Sequence, residues 1–506
     1  MAEYLSPGVY VEEVNSGPRP IEGVGTAMAA FVGFAPAGDV NKPTLITNWS
    51  QYVETFGITN GNGRKNPHLS GAYLSHAVYG YFLNGGGRCY VTRIASKAPK
   101  LQLPSRTAKG ANALALQAKD PGAGAIEVEV SSPTGDGAPE GSFTLRVKNA
   151  AVEEKYGNVT LGRSKGGLKN VAEAVQTSQL ITVLEQVANA VPELGKYTLT
   201  AADTATLPAV QPAELKGDAA ARTGIEGLEI ADDATMVCCP DLMAAYQAGM
   251  LDREGVRAVQ SGIIAHCERL GDRMAILDPL PDLTPQDVKQ WREKDTNYDS
   301  RFAALYYPWI KVAGPDGKDI AVPPSGHVAG LYARSDNERG VHKAPANDVL
   351  RGVVQVVTPV TKGEQDALNP VGINCIRPFT GRGIRVWGAR TLSSDPAWRY
   401  INVRRLFSFV EKSIERGTQW VVFEPNDPDL WARVRRDVGA FLTGVWRSGA
   451  LFGLSPDQAF FVKCDEELNP PDVRDRGQLI IEIGLAPVKP AEFVIFRLSQ
   501  FAGGGA

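Results

Sequence analysis

One stretch of the sequence matches a pattern used by nucleophilic enzymes. Gly162-Arg163-Ser164-Lys165-Gly166 has the spacing Gly-x-Ser-x-Gly, in which a serine on a sharp strand-to-helix turn attacks an acyl carbon. Its flanks are polar and rich in lysine and glycine, and no His-Gly-Gly-Gly loop precedes it. With 53 glycines in the chain, such five-residue patterns also arise by chance. Ser164 is therefore interpreted as part of a surface turn, with a hydrolase as the alternative.

Residue types suited to a catalytic triad or a metal site also occur in the second half of the chain. They are His266, His327, His342, Asp252, Asp278, Asp336 and Ser325. No HExxH or comparable ligand spacing joins the histidines, and Ser325 stands where Pro323-Pro324 predicts a helix start. The six cysteines contain no CxxC pair and are too few for a disulfide scaffold in 506 residues. The sequence predicts buried thiols, no metal, no cofactor and no enzyme activity.

Composition and charge argue against several classes of function. Lys and Arg total 53 against 56 Asp and Glu, a net charge of -3, so the chain has no overall basic field for a nucleic acid. Phosphate-binding loops of the GxxxxGKS, GxxxxGKT or GxGxxG type are absent. Gly23 to Gly38 is too short and glycine-rich to cross a bilayer, and Met1 to Pro7 shows no signal peptide. We expect synthesis in a cytoplasm, without membrane insertion.

The alternation of apolar strands and amphipathic helices predicts an α/β protein of about three domains. The predicted elements are strands Ala29–Phe34, Thr44–Ile46, Cys89–Ile94, Thr235–Cys239, Arg273–Leu277 and Phe302–Ile310, and helices Trp49–Phe56, His68–Leu83, Arg253–Leu270 and Pro285–Glu293. Between about residues 96 and 227 the composition shifts to Ala, Gly, Thr and Lys, with alternating strands Ile126–Val130 and Ser142–Lys148. This segment is predicted as an inserted, surface-exposed β-rich domain.

The last third of the chain carries the clearest helix signals. Asp395-Pro396 and Asp427-Pro428 each pair an N-cap residue with a proline, and apolar residues at i, i+3 and i+4 follow both. The first helix is predicted to end at Gly417, and the second to reach Arg447. Trp420–Phe423 is predicted as a strand between them, and Gln478–Leu485 and Glu492–Ser499 as the last two strands.

Both ends of the chain carry apolar strands without a local partner. Val9–Val14 lies between the turn Ser6-Pro7-Gly8 and the breaker Asn15–Pro20. Phe493–Phe496 is apolar on both strand faces and follows the proline-containing connector Ala486–Pro490. Because backbone N–H and C=O groups need partners, each strand must pair with a distant part of its own chain or with another chain.

Eight blocks of the sequence share a likeness to one family. They are Tyr4–Val14, Thr26–Gly33, Phe56-Gly57, Gly85–Arg93, Asn374–Arg382, Ile384–Leu392, Tyr400–Arg405 and Phe460–Ala486. Together they resemble the contractile tail sheath proteins of bacteriophages, R-type pyocins and extracellular contractile injection systems. The blocks cover both chain ends and much of the centre, whereas residues 96–227 show no match.

The resemblance implies a multidomain α/β architecture with extended β-arms. Its parts are an N-terminal arm (1–25), a core sheath domain built from 26–95 and 366–490, the inserted β-rich domain (96–227), an α/β middle domain (228–365) and a C-terminal arm (491–506). In such sheaths the arms add strands to sheets of neighbouring subunits and tie stacked hexameric rings into a mesh around an inner tube. Contraction to a shorter, wider lattice moves the subunits as rigid bodies and drives the tube through a target envelope.

The resemblance also implies roles for individual residues. The arm strands are Val9, Tyr10, Val11, Glu12, Glu13, Val14, Phe493, Val494, Ile495, Phe496, Arg497 and Leu498. The arm hinges are Asn15, Ser16, Gly17, Pro18, Pro487, Val488, Lys489 and Pro490. A helix of the C-terminal region touches the inner tube in this family, and the candidates are Arg433, Arg435, Arg436 and Arg447, for which a solvated helix face is the alternative.

The implied partners are further copies of the chain, an inner tube protein, and baseplate and terminal cap proteins of a phage tail or tail-like particle that can be released. Nucleic acid is not among them. Two other classes of function stay open. A hydrolase would pair Ser164 or Ser325 with a histidine. A soluble binding module would stay monomeric, and removal of residues 1–20 would leave its oligomeric state unchanged. The sheath hypothesis predicts that loss of Val9–Val14 or Phe493–Ser499 leaves a folded core that does not polymerise.

Overall fold

The structure, a computed structural model, describes residues 20–59, 63–95, 99–108, 110–119, 125–134, 141–149, 152–163, 168–188, 190–199 and 207–497. The described chain forms two compact units. The larger unit lies within residues 27–338 and 345–401, and the smaller one within residues 20–26, 339–344 and 402–497. None of the helices in these described ranges is both long and apolar enough to cross a bilayer.

The larger unit begins with an α/β segment. Its elements are β1 (Ala29–Gly33), β2 (Thr44–Ile46), α1 (Trp49–Phe56), β3 (Ile58–Thr59), β4 (Lys65–Asn66), α2 (Leu74–Asn84) and β5 (Cys89–Arg93). Helix α2 ends at Gly85 with a φ of 118°, a left-handed conformation that glycine adopts readily as a C-cap. The helix begins at Leu74 rather than at His68, because the Asp241 carboxylate accepts the amide hydrogens of Tyr73 and Leu74 there.

The described residues between 99 and 199 form a β-rich part with its own apolar core. Its elements are β6 (Lys100–Pro104), β7 (Asn112–Ala118), β8 (Ile126–Ser131), β9 (Phe143–Lys148), β10 (Glu153–Thr160), β11 (Lys169–Asn170), α3 (Val171–Ala174), β12 (Ile181–Gln186) and β13 (Gly195–Leu199). They form two sheets, ordered β11-β10-β9-β8-β13 and β12-β7-β6. Val210, Leu215 and Ile225 instead pack into the core beside the large sheet. The β-rich part therefore ends before the expected boundary at residue 227.

The remainder of the larger unit alternates strands and helices. Its elements are α4 (Pro212–Lys216), β14 (Met236–Cys238), α5 (Asp241–Gln247), α6 (Arg253–Leu270), β15 (Met274–Leu277), α7 (Pro285–Gln290), β16 (Ala303–Tyr307), β17 (Ile310–Ala313), β18 (Asp319–Val322), α8 (Ser325–Arg339), β19 (Val353–Val356), α9 (Lys362–Leu368), β20 (Ile373–Phe379) and β21 (Gly383–Trp387). The predicted strand Phe302–Ile310 is split, because a second strand, β17, starts at Ile310 and pairs with β18 and β19 instead.

An eight-stranded sheet organises the larger unit, in the order β2-β5-β1-β14-β15-β16-β20-β21. All neighbours pair in parallel except β2 with β5 and β20 with β21. The sheet is thus mainly parallel, the arrangement that the predicted alternation of strands and helices favours. Segments 26–95, 228–365 and 366–490, which the sequence assigns to two different domains, all contribute strands to this one sheet, because parallel pairing joins strands distant in the chain.

The two faces of the sheet carry separate apolar layers. Alternate residues of β1 point to opposite sides, so that Ala30 and Val32 join one layer and Ala29 and Phe31 the other. Helices α5, α6, α7 and α9 cover the first face, and α1, α2 and α8 the second. Covering helices on both faces are what a parallel sheet requires, since its strands are apolar on both sides.

The smaller unit is built on two long helices. Its elements are α10 (Ile401–Gly417), α11 (Pro428–Arg447), α12 (Pro456–Ala459), β22 (Phe460–Lys463), α13 (Pro471–Arg474) and β23 (Glu482–Leu485). The first residue of α10, Ile401, is counted with the larger unit. Asp427 caps α11 by accepting the Leu430 N–H, as its sequence predicts. Leu406, Val434, Val438 and Leu442 are among the residues that form the core between the helices.

One strand prediction in the smaller unit is wrong, and a second concerns a strand that the single chain does not form. Trp420–Phe423 is not a strand, since Gln419–Val421 forms a 3-10 helix and no strand of the described residues lies beside it. The described part of Glu492–Ser499 also has no strand. An apolar run forms a strand only where a second strand supplies hydrogen-bonding partners, and neither segment has one within the described chain.

Candidate inter-subunit surfaces

Two buried aspartates occupy the edge of the large sheet at which α/β enzymes bind ligands. Asp278 directly follows β15, and Asp241 follows β14. Asp278 accepts hydrogen bonds from the Ser325 N–H at 2.9 Å and from its hydroxyl at 2.6 Å. Asp241 accepts them from the amides of Phe34, at 2.5 Å, and Tyr73. Because helix N-termini leave amides without intrahelical acceptors, the two carboxylates cap α8 and α2.

Ser325 does not form a nucleophile–base pair with His327. Its hydroxyl is donated to Asp278 and its side chain is buried. The Nδ1 atom of His327 is buried without a hydrogen-bond partner in the described chain, and a Cβ placed on Gly80 would lie 2.3 Å from it. Burial, with a smaller effect from His76, lowers the pKa of His327 to about 4. His327 therefore packs α8 against α2 as a neutral ring.

The other candidates for chemistry are dispersed. His266 is buried between Glu226, at 3.5 Å, and Arg273, at 3.4 Å, and Asp252 caps α6. Asp336 lies on α8 and His342 in the smaller unit. All six cysteines are buried free thiols, as predicted. Within the described ranges no group of three or more His, Cys, Asp or Glu side chains could hold a metal ion, and Ser164 lies outside those ranges.

The C-terminal arm presents four consecutive exposed apolar side chains. Phe493, Val494, Ile495 and Phe496 are exposed by 69% to 83%, and Arg497 beside them is exposed as well. Single exposed apolar residues are ordinary, but a contiguous apolar stretch marks an interaction site. Leu498, the last residue predicted for this arm, lies outside the described residues, as do the N-terminal arm strand Val9–Val14 and its hinge residues 15–18.

A two-stranded antiparallel sheet lies close to this arm in the sequence. β22 pairs with β23 from Phe460↔Leu485 to Lys463↔Glu482, and no further strand of the described residues joins either one. Phe461 is half exposed, and its ring packs directly on Gly484. A Cβ atom placed on that glycine would lie only 2.1 Å from the ring. Such a sheet has two edges with unpaired backbone groups, which a further strand can extend.

The connector before the C-terminal arm is anchored over part of its length. The Val488 N–H donates to the Ala450 carbonyl at 3.2 Å, and the Val488 carbonyl accepts from the Asn402 side chain at 3.2 Å. Pro487 forms an isolated bridge to Leu451. Of the four hinge residues expected here, Pro487 and Val488 are thus held by the smaller unit, and the free part of the connector begins at Lys489.

The four arginines expected to touch an inner tube are all exposed on α11. Three of them bond within the smaller unit: Arg433 to Glu424 at 3.5 Å, Arg436 to Asp437 at 3.0 Å, and Arg435 to the Cys464 carbonyl. Arg447 forms no ion pair with the described residues. Among the four arginines, Arg447 is therefore the one whose guanidinium donors are all available to a partner protein.

The sequence did not indicate the most exposed aromatic side chain of the described chain. Phe423, in the loop between α10 and α11, is 102% exposed and has a φ of 69°, and Val422 before it is 65% exposed. One sequence feature could have indicated this exposure. The apolar run 420–423 stands directly before Pro425 and the N-cap Asp427, so the chain turns into a helix too soon for a paired strand to form.

Comparisons with known proteins agree on one family. The phage tail sheath protein central domain matches residues 233–392, and the phage tail sheath C-terminal domain matches residues 393–501. The tail sheath protein of Burkholderia phage BcepMu is 25% identical over 98% of this chain and 96% of its own length. That of Vibrio phage KVP40 is 31% identical over 34% of this chain. The matches to the KVP40 and T4 sheath proteins span only 26% and 28% of those relatives.

Solved structures resemble the whole chain. The helical sheath of the anti-feeding prophage in its contracted state has a TM-score of 0.59 and 26% identity, covering 98% of this chain and 99% of that one. The same values describe a chain of the six-fold symmetrised anti-feeding prophage baseplate. The PVC sheath complex of an extracellular contractile injection system, in the contracted state, has a TM-score of 0.57 and 24% identity and supports the fold.

Proposed function

The chain belongs to the contractile tail sheath family, and from this premise we propose that it is the structural subunit of a contractile sheath. Copies stack as hexameric rings around an inner tube and contract to drive that tube through a target envelope. The sheath is assembled in the cytoplasm as part of a phage tail or tail-like particle, together with baseplate and terminal cap proteins. The subunit contributes mechanical work and no catalysis.

One observation carries the proposal: the exposed apolar segment Phe493–Phe496 at the end of a folded unit. Alone in water such a segment keeps both its apolar side chains and its backbone groups unpaired. Adding it as a strand to the sheet of a second copy satisfies the backbone and buries the side chains. The open two-stranded sheet of β22 and β23 is a suitable acceptor, because both its edges are free of described strands.

The energetics suit a lattice that changes shape. Each added backbone hydrogen bond contributes about 0.5 to 1.5 kcal/mol of net binding free energy. An arm with four or five such bonds therefore contributes several kcal/mol in all. A single link of this strength is reversible, but several links per subunit make the mesh persistent through multivalency. The connector beyond Val488, namely Lys489 and Pro490, then works as the hinge that keeps arms paired while subunit bodies move.

Contacts with the inner tube are assigned to α11. Arg447 has its donors free of ion pairs within the described chain, and Arg433, Arg435 and Arg436 lie on the same helix. Arginine is the side chain best suited to bidentate recognition of carboxylates. The proposed partner surface on the tube is therefore acidic.

Truncation of the C-terminal arm tests the function. We expect a chain ending at Pro490, and full-length Phe493→Ser/Ile495→Ser, to fold with unchanged melting temperature but to form no tubes by negative-stain electron microscopy. Val187→Ser, which alters an exposed apolar residue of the β-rich part, is the matched control and should polymerise normally. Long tubes from the truncated chain would contradict the role of the arm. A wild-type chain that stays monomeric even with its inner tube protein would contradict the sheath function itself.

A further inference from the structure

The loop between α10 and α11 exposes an aromatic side chain on an unfavourable backbone. Phe423 is 102% exposed with a φ of 69°, a left-handed conformation that bulky residues rarely adopt. Among the described residues, neither burial nor a local packing contact compensates for this conformation. A backbone outlier of this kind that the surrounding structure maintains points to a function.

The loop is held rigidly from both sides. The Trp431 indole donates to the Asn426 side chain at 2.7 Å, and Asn426 donates in turn to the Gln478 carbonyl at 2.8 Å. On the other side, the Arg433 guanidinium lies 5.4 Å from the ring centre of Trp420. A side chain presented by such a preorganised loop loses little conformational freedom on binding, so Phe423 has the properties of an interface anchor.

Carboxylates follow the aromatic tip closely in the sequence. Glu424, Asp427 and Asp429 follow Phe423 within six positions, and Arg433 is the cation that pairs with one of them, Glu424. Asp429 is exposed and has no ion pair among the described residues. A surface complementary to this loop must therefore combine an apolar or aromatic contact with positive charge.

The chain itself presents such a surface at the tip of the β20–β21 hairpin. Arg377 lies directly opposite Arg385 in the strand register, an unfavourable pairing of like charges, and Arg382 occupies the turn. The ring of Phe379 lies between Arg377, at 5.6 Å, and Arg382, at 5.8 Å. No carboxylate of the described residues forms an ion pair with these three arginines.

Neutral acceptors hold the three guanidinium groups in place. Arg377 donates to the Gln365 side chain at 2.8 Å, and Arg385 donates to the Asn347 carbonyl at 2.6 Å. Arg382 donates to the Asn347 side chain at 3.1 Å. These bonds orient the arginines but leave their charges uncompensated. Arginine and aromatic side chains together are enriched at the centres of protein interfaces.

We propose that the loop Val422–Asp429 of one copy of the chain binds the Arg377–Arg385 hairpin tip of a second copy. Phe423 and Val422 pack against Phe379, and Asp429 and Glu424 compensate the arginines. The contact is heterologous, since it joins two different surfaces of identical subunits, and such contacts repeat into an open helical lattice. This inference rests on the proposed self-assembly and adds a contact between subunit bodies that is independent of the arms.

Substitutions at the anchor test the contact on the chain alone, without inner tube protein. We expect Phe423→Ala and Phe423→Gly to raise the concentration needed for half-maximal sedimentation of tubes at least tenfold. The melting temperature of Phe423→Gly should equal or exceed that of the wild type, because glycine adopts the positive φ freely. Val187→Ala, an exposed apolar control in the β-rich part, should leave both values unchanged.

A charge exchange identifies the partner surface. We expect Asp429→Lys and Arg382→Glu each to impair tube formation at least tenfold, and the double variant to recover to within threefold of wild type. Asp429→Asn serves as a milder change with less effect on α11. Lys100→Glu, at an exposed position of β6 opposite the neutral Gln117, is the charge-reversal control. Failure of the double variant to recover would overturn the assignment to the hairpin tip.

The outcomes separate this inference from the proposed function. A Phe423→Ala chain that forms tubes at the wild-type concentration contradicts the inference and leaves the sheath function intact. If that variant polymerises alone but no longer assembles around the inner tube, the loop binds the tube and the inference is also wrong. Wild-type chain that forms no tubes under any condition contradicts the proposed function.

Discussion

Asp241 and Asp278 have the type and position of catalytic carboxylates, but each performs a structural task. Both are almost completely buried at the carboxyl ends of parallel strands. Desolvation raises the pKa of each carboxyl group to about 7, against the effect of the hydrogen bonds that they accept from backbone amides and, for Asp278, from the Ser325 hydroxyl. His76 and His327 are shifted in the opposite direction, since burial lowers the pKa of each to about 4.

These shifts predict the pH dependence of stability. A carboxyl group whose pKa is raised on folding binds its proton more tightly in the folded state, so the folded state gains stability as pH falls from about 7 towards 4. Neutral histidines with lowered pKa values have the opposite effect, because the unfolded chain takes up their protons between about pH 6.5 and 4. A difference of one bound proton between the folded and the unfolded state changes the unfolding free energy by about 1.4 kcal/mol per pH unit.

Removing one carboxylate should expose the histidine contribution. We expect Asp278→Asn to lose unfolding free energy more steeply than wild type as pH falls from 7 to 4, because it lacks the compensating proton uptake. Urea unfolding at several pH values measures the slope. Asp366→Asn, at an exposed position of α9, should follow the wild-type profile. Parallel profiles for Asp278→Asn and wild type would argue that the carboxyl group stays ionised.

At the scale of elements, glycines bring α2 and α8 unusually close. A Cβ placed on Gly330 would lie 2.4 Å from the Tyr81 carbonyl oxygen, and one on Gly326 would lie 2.4 Å from the Ala77 backbone. Because backbone atoms cannot rotate away as a long side chain can, these positions allow no side chain larger than hydrogen. The sequence predicts the start of α8, yet nothing in its local pattern announces this contact.

We expect Gly330→Ala to destabilise the protein by about 2 to 3 kcal/mol through overpacking, although alanine favours helices. Gly444→Ala on α11 is the matched control, since its Cβ would meet nothing within 4 Å. There alanine should stabilise by about 0.5 to 1 kcal/mol. Chemical denaturation of both variants measures the change in unfolding free energy. A stabilised Gly330→Ala variant would mean that α2 and α8 are farther apart than these distances indicate.

At the scale of the whole molecule, the β-rich part within residues 99–199 is distinguished by a core of its own. Leu116, Val128, Phe143 and Leu145 are fully buried in it, and its two sheets contain no strand from the large sheet. A segment with a closed apolar core and internally paired strands has the requirements of an independent folding unit.

We therefore expect a fragment of residues 96–206 to fold without the rest of the chain. Thermal unfolding followed by circular dichroism should show one cooperative transition, and Leu145→Ala should lower the stability by about 3 kcal/mol, as expected for a fully buried leucine. The same variant should leave the large sheet intact in the full chain. A fragment that unfolds without cooperativity would show that its stability depends on contacts with the remainder.

The sequence was most informative where structure depends on neighbouring residues. Helix α6 and helix α11 have the predicted bounds, because N-cap aspartates, the i, i+3, i+4 apolar pattern and, for α11, a proline at N1 act within a few residues. The strand prediction between α10 and α11 is wrong, although the apolar run 420–423 satisfies the composition of a strand. Whether such a run pairs is decided by backbone groups elsewhere, which composition does not describe.

By itself, the sequence determined the α/β class, most helices and strands and the buried thiols, since these follow from local spacing and residue type; its likeness to contractile sheath proteins rests on resemblance of whole sequence blocks. Tertiary structure decided that three separate segments build one sheet, that Asp241 and Asp278 cap helices, and that Phe423 stands exposed on a rigid loop. The physical reason is that pairing, burial and exposure depend on groups far apart in the chain, which folding alone brings together.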